Sequence, residues 1–363
     1  MGTKARDCAS RGHPVALIRR ALKVFAAGLM AILAISSNAV LAQDSDNAYQ
    51  LGHGYKLGNT GIHLGGYASV HGAGFGDAPW SLELSDLSLF VTWDTGSKLR
   101  FFSEIEIEDG LHVGQHTGLT TRDGYFKLER LYLDYLVNDR VTVRIGKMLT
   151  PVGQWNLLHV DPLLWTTTRP VATENLFSEH VSGVMVHGTI PFGDQSVDYS
   201  VYGDYSSTLD ARPITGVSNF DNALGARLRY NISDDLQIGL SYSDFTLQGR
   251  TNSRSHLLGL DGAWTYQRFA FNSEIVYRYN DVEINQHVWQ GYIQGVSALK
   301  GHVYGVARYE FFDQVNGQLG QVGVLGLAYH PRPPLIWKLE YRLGTNNRYL
   351  APDGVFASFA VLF

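Results

Sequence analysis

Residues 335–343 read LIWKLEYRL, and the two faces of this stretch are chemically opposite. At a period of two, Leu335, Trp337, Leu339, Tyr341 and Leu343 fall on one side of an extended chain, and Lys338, Glu340 and Arg342 fall on the other. Turning the second face toward hydrocarbon would cost roughly 2–4 kcal/mol for each basic residue near a bilayer midplane, and a one-residue slip would move every side chain to the wrong side. In a membrane the charged face therefore points inward. The same logic sends Arg227 and Arg229 inward opposite Leu224, Leu228 and Tyr230, and Glu274 and Arg278 inward behind Phe271, Ile275 and Tyr277.

Working outward, the same alternation recurs near 61–72, 82–93, 98–110, 124–137, 140–148, 181–190, 196–205 and 222–232. It continues near 236–248, 255–266, 268–280, 288–299, 301–313, 320–330, 335–344 and 354–363, which makes sixteen strands. Tight turns such as Asp94-Thr95-Gly96-Ser97, Asn138-Asp139, Ser233-Asp234-Asp235, Gln267 and Pro331-Arg332-Pro333-Pro334 follow the even-numbered strands, and longer loops follow the odd-numbered ones. Short turns at one end and long loops at the other predict an all-β fold: a transmembrane antiparallel β-barrel with both chain ends on the periplasmic, short-turn side. A soluble sandwich also alternates, but its turn lengths show no strict long-short order. Aromatic residues supply a second signal. Trp93, Tyr230, Trp264, Phe269 and Trp337 sit near the short turns, while Tyr205, Tyr242, Tyr277, Trp289 and Phe311 sit nearer the long loops, as two interfacial belts require.

The chain has 363 residues, and its first 42 read as a cleaved secretory signal peptide. Arg19, Arg20 and Lys23 precede an uncharged apolar stretch at 24–35, and Val40-Leu41-Ala42 offers small residues where a signal peptidase cuts. That apolar core is too short to span a bilayer as a helix. Cleavage removes six Lys/Arg and one acidic residue, which takes the formal charge from −5 to about −10, and it removes Cys8, the single cysteine. Structural disulfides, thiolate metal sites and a cysteine nucleophile are thereby excluded from the mature chain. Residues 43–60 then form a short periplasmic segment ahead of the barrel at 61–363. The chain's last ten residues, GVFASFAVLF, form the closing strand, with Val355, Ala357, Phe359, Val361 and Phe363 toward lipid and Ser358 on the other face. A sheet in hydrocarbon leaves no open edge, so this strand pairs with the first.

One connection is long. Residues 150–180 read TPVGQWNLLHVDPLLWTTTRPVATENLFSEH, too long for a connector and too apolar to stand in solvent. The lumen of a sixteen-strand barrel is a water-filled channel. The loop is expected to fold into it and to place His159, Asp161, Arg169, Glu174, Glu179 and His180 at a constriction. The other reading of this segment is an exposed loop against lipopolysaccharide or a neighbouring subunit. Arg100, Glu104, Glu106, Arg144, Arg227, Arg229, Glu274, Arg278, Arg308, Glu310, Lys338, Glu340 and Arg342 are the expected lining of the lumen. Their mixed signs could impose a transverse field on solutes, and the net negative chain tilts the expectation weakly toward cations.

The stretch RIGKMLTPVGQWN, followed by TTTRP and VSGVMVHG, resembles the phosphate-selective porin O and P superfamily. The matching positions are Gly146, Pro151, Gly153, Arg169, Gly183, Val184 and Gly188, and the close resemblance covers about 50 residues. It implies a homotrimeric diffusion channel in a Gram-negative outer membrane, with the lumen narrowed by its third loop. It does not carry phosphate selectivity, which needs a lumen rich in Arg and Lys with few acids. The terminal Phe363 resembles the signal that hands outer-membrane proteins to the barrel-assembly machinery.

Other patterns carry less. His112 and His116 in HVGQH have the helical spacing of metal ligands, but they are expected in the second long loop and read as surface histidines. HGAGFGD at 71–77 resembles a phosphate-binding loop, yet no helix follows it. There is no GxSxG, HExxH or CxxC, and no basic patch with interleaved aromatics for nucleic acid. The sequence therefore predicts a passive porin with no enzymatic activity, cofactor or metal. The competing reading is a barrel enzyme or adhesion scaffold with a plugged lumen.

Overall fold

The computed structural model describes residues 49–74, 79–121, 124–158, 160–174, 176–205, 219–249, 253–281, 287–314 and 317–363. The predicted leader at 1–42 and His159 lie outside the described residues.

Among the described residues, a two-residue strand β1 (Tyr55–Lys56) precedes β2 (Ile62–Gly74), β3 (Ser81–Asp94), β4 (Leu99–Gly114), β5 (Tyr125–Asn138) and β6 (Val141–Leu149). After the long connection come β7 (His180–Phe192), β8 (Gln195–Asp204), β9 (Phe220–Ser233), β10 (Leu236–Leu247), β11 (Ser255–Tyr266) and β12 (Phe269–Asn280). The chain ends with β13 (Val288–Ala298), β14 (Val303–Asp313), β15 (Leu319–Arg332), β16 (Leu335–Thr345) and β17 (Gly354–Leu362). Each of β2 to β17 pairs antiparallel with its neighbours in sequence, and β17 returns to β2 in the register Val355↔Gly74 to Leu362↔Tyr67. The sixteen strands thus close into a barrel.

Phe363 extends the seam, exchanging backbone hydrogen bonds of 2.8 Å with Gly66 in both directions. Beyond the reach of β17, β1 pairs with β2 at Tyr55↔Leu64 and Lys56↔His63, so it covers backbone groups that would otherwise be an edge. The segment ahead of the sixteen wall strands thus contributes a two-residue strand of its own.

Burial is inverted relative to a water-soluble sheet. On β16, Lys338 and Glu340 are each 2% exposed, while Leu339 and Tyr341 on the outer face are 51% and 50% exposed. The interior is occupied by chain. The 150–179 connection folds inside the barrel as three single 3-10 turns, Trp155–Leu157, Asp161–Leu163 and Val171–Thr173. Val152, Leu176 and Phe177 pack with inward residues such as Met148, Met185, Phe245 and Leu257, and Val171 packs with Phe312, Val322 and Val324. Trp165 meets Tyr304, with ring centroids 4.8 Å apart.

Two histidines sit differently from expectation. His180 begins β7 and His112 lies on β4, because the ladders run further toward the long loops than the alternating pattern does. The β3–β4 pairing, for instance, continues through Glu83↔His112 to Ser81↔Gly114.

Candidate pore constriction

The inserted segment has no ladder of its own, so its backbone groups need partners inside the barrel. The wall carboxylates supply them. Glu274 on β12 accepts hydrogen bonds from the backbone N–H of Gln154 (2.8 Å) and Trp155 (2.7 Å) and from the Tyr292 hydroxyl (3.0 Å). Gly153 makes this approach possible: its φ is +65°, and a Cβ there would lie 2.0 Å from the Glu274 carboxylate. At the neck, the Thr150 N–H donates to the Glu179 carbonyl (2.8 Å), and the Asn156 amide donates to the carbonyls of Thr150 (2.8 Å) and Glu179 (3.1 Å).

The far side of the segment is sealed to β14, β16 and β17. Glu340 accepts from the N–H groups of Thr167 (3.0 Å) and Thr168 (2.9 Å), and Glu310 accepts from that of Val171 (2.8 Å). Arg308 donates to the Thr166 hydroxyl (2.6 Å) and the Thr168 carbonyl (2.9 Å) while its Nε holds Glu310 at 2.8 Å. Asp161 receives Lys338 Nζ at 2.8 Å and lies 3.3 Å from His71 Nε2. Burial works to raise the Asp161 carboxyl, but the Lys338 and His71 charges hold it below the usual carboxylate range. Arg278 donates to the Leu176 carbonyl (3.1 Å), and Arg342 donates to that of Pro352 (2.8 Å). Seven residues expected along the lumen, Glu274, Arg278, Arg308, Glu310, Lys338, Glu340 and Arg342, thus face inward but contact loop backbone or the inserted segment.

Free space lies on the other side of the barrel. A cavity of about 400 Å³ is lined by Arg130, Tyr132, Arg144, Arg227 and Arg229, with Leu149, Pro151 and Leu157 from the neck of the segment also in its wall. Each arginine has a carboxylate partner: Arg130 with Glu104 (2.5 Å), Arg144 with Asp134 (2.7 Å), Arg227 with Asp261 (2.7 Å) and Arg229 with Asp198 (2.6 Å). Glu106 is buried and accepts from Tyr67 (2.8 Å) and Ser88 (2.7 Å), and Arg100 pairs with Asp94 (3.1 Å) at the short-turn end. On the segment itself, Arg169 holds Glu179 at 2.6 Å. Burial opposes the Arg169 charge, but Glu179 and Glu174 raise its pKa further. Burial pushes the Glu174 carboxyl up to about 7, against the pull of Arg169.

Several residues escaped sequence reasoning. A bulge at Glu104/Ile105 lets two adjacent residues, Glu129 and Arg130, both reach the interior. There Glu129 meets His180 Nε2 at 2.7 Å and Lys127 Nζ at 2.7 Å, and Lys127 also holds Glu108 at 2.6 Å. Glu106, Glu108 and Glu129 are close enough to hold a cation, and so are Glu129, Glu179 and His180. The Lys127 ammonium stands among them as a built-in counterion. The adjacent charges in the stretch KLER, residues 127–130, were the available signal, because strict alternation would have turned one of them toward lipid.

No family model matches the chain. A protein of Aquifex aeolicus (strain VF5), described as uncharacterized, is 32% identical over 201 residues, which is 50% of this chain and 43% of that protein. The chain therefore spans less than half the length of this relative. Among solved structures, an anion-selective porin from Comamonas acidovorans superposes with a TM-score of 0.58 at 14% identity, covering 83% of this chain and 99% of its own. OmpF of Salmonella typhi in complex with daunomycin gives 0.59 at 12% identity, covering 85% and 99%. The outer-membrane channel DcaP of Acinetobacter baumannii gives 0.55 at 12% identity, covering 86% and 100%. The fold is porin-like. In this porin-like barrel the long connection after the fifth wall strand, β6, enters the lumen.

Proposed function

We propose that this chain is an outer-membrane porin through which ions and small polar solutes diffuse passively, with residues 150–179 setting the size limit. The observation that carries this reading is the inside-out barrel with one long segment docked along part of its inner wall and a cavity left along the rest. The chemistry required of the chain is that of a selective passage, not of catalysis. In this reading 1–42 is a cleaved signal peptide, the short turns and both mature ends are periplasmic, and the long loops meet lipopolysaccharide. Phe363 on the closing strand presents the chain to the barrel-assembly machinery, and the working unit is a homotrimer.

Within the porins, the phosphate-selective porin O and P superfamily is the proposed affiliation. Its glycine positions are supported by steric demand in this chain. A Cβ at Gly146 would lie 2.1 Å from the Leu131 carbonyl, one at Gly183 would lie 2.0 Å from that of Gly203, and one at Gly188 would lie 1.8 Å from that of Arg140.

A second reading has a specific observation behind it. The near-complete burial of Arg308, Glu310, Lys338 and Glu340 beneath the segment is what a plugged scaffold would also show. Single-channel recording in planar bilayers separates the two. Resolved conductance steps are expected, and a folded protein that leaves the bilayer silent would favour the scaffold.

A further inference from the structure

Around the 400 Å³ cavity the arginine is the more exposed partner of each ion pair. Side chains of Arg130, Arg144 and Arg229 are 15%, 21% and 38% exposed, while their partners Glu104, Asp134 and Asp198 are 0%, 12% and 25% exposed. The wall is therefore faced mainly with guanidinium: Glu104 and Asp134 stand behind their arginines, and Asp198, bound to Arg229, is the one carboxylate in the lining. The whole-chain negative charge points the other way, but a solute responds to the nearest surface. Donors are also left over. Arg144 commits Nε and Nη2 to Asp134, and Arg229 commits Nε and Nη2 to Asp198. Nη1 of each takes no part in these carboxylate bonds, and the buried Nε of Arg227 has no partner among the described residues. A guanidinium carries five N–H donors, and its fork matches a carboxylate.

The surroundings select what kind of anion fits. The Arg144 guanidinium lies over the Tyr132 ring, 3.7 Å from its centroid, and Arg130 lies over Phe102 at 4.7 Å. Tyr132 and Phe102 stack at 5.2 Å and 20°, so flat groups already pack in parallel at this wall. Leu149, Pro151, Leu157 and Met185 add an apolar side to the same cavity. A small hydrated inorganic ion gains nothing from that side. The volume falls in the range of about 300–1,000 Å³ usual for pockets that enclose a small organic ligand.

We propose that this cavity is a recognition site for small organic anions with a flat apolar body, of which aromatic monocarboxylates are the simplest. The carboxylate binds the spare donors of Arg144 and Arg229, and the ring lies among Tyr132, Leu157 and Pro151. The inference rests on the porin reading for its purpose, namely an affinity step along the diffusion path, but it is tested by binding as well as by current.

The probe is sodium benzoate, titrated calorimetrically into the full-length barrel folded in detergent. Saturable binding is expected, with acetate and inorganic phosphate at least tenfold weaker and benzylammonium silent. Arg144→Gln and Arg229→Gln should each weaken benzoate binding at least tenfold, and Arg144→Lys should do nearly as much, because an ammonium offers neither the fork nor the flat stack. Leu157→Asn, outside the ion pairs, should weaken benzoate several-fold and leave acetate unchanged. Folding of each variant is read by the gel-mobility shift of the unheated barrel. Equal binding of benzoate and benzylammonium, phosphate binding as tight as benzoate, or undiminished binding by folded arginine variants would each overturn the proposal. A barrel that conducts but binds no benzoate sinks this inference and spares the porin reading, and one that binds benzoate but passes no current does the reverse.

Discussion

Asp161, in the second 3-10 turn of the inserted segment, accepts from the Lys338 ammonium on β16 at 2.8 Å through its carboxylate and at 3.1 Å through its backbone carbonyl. The two residues are 177 positions apart, and both are nearly buried. Removing one partner of such a pair leaves the other charge in a poorly solvated place, which costs about 3–5 kcal/mol. Lys338→Met should therefore lower the thermal transition and loosen the segment, with single-channel conductance rising or fluctuating between levels. A variant whose conductance matches the parent would show that this contact does not hold the constriction.

Gly153 is the hinge by which the chain leaves the wall. With φ at +65° and the Glu274 carboxylate where a Cβ would stand, Gly153→Ala must break the pair of hydrogen bonds that Glu274 accepts from Gln154 and Trp155. A loss of about 2–3 kcal/mol is expected from backbone strain and an unsatisfied carboxylate together. Denaturant unfolding checks this. Glu274→Gln, which retains one acceptor oxygen, should be milder.

Glu174 provides a pH dependence. Its pKa in the folded chain is raised from the ordinary 4.5 to about 7, so between those values the unfolded chain has released a proton that the folded chain retains. Stability therefore falls as pH climbs through this window, by about 3 kcal/mol from this group. Arg169, Glu310, Arg342 and Arg308 surround it and set the size of the effect. Melting temperatures recorded from pH 4 to 8 should decline in the parent and flatten in Glu174→Gln. Parallel curves would exclude Glu174 as the source.

Lys127 balances the carboxylates of Glu108 and Glu129 at 2.6 Å and 2.7 Å. Lys127→Ala leaves Glu106, Glu108 and Glu129 clustered without their central cation. The variant is expected to be destabilised at pH 8, to recover at pH 5 as the carboxylates take up protons, and to recover at pH 8 when millimolar calcium is added. Failure of both acid and calcium to restore its melting temperature would mean that packing, not charge, is what Lys127 supplies.

The period-two pattern by itself determined the wall. It gave sixteen strands, their inward and outward faces and the alternation of turns and loops, because a barrel in hydrocarbon allows only one assignment for a face such as Lys338, Glu340 and Arg342. The inserted segment was legible too, from its length and from apolar residues that needed cover. Alternation encodes which way a side chain points, but not what stands opposite it. Only the folded barrel could pair Asp161 with Lys338, set Glu274 beneath Gly153, or decide that the acids on β12, β14 and β16 bind loop backbone while the arginines on β5, β6 and β9 face open space. The bulge that turns both Glu129 and Arg130 inward breaks the very periodicity used to read the strands. Those contacts join residues more than a hundred positions apart, and they exist because closing the sheet brings distant strands to a shared lumen.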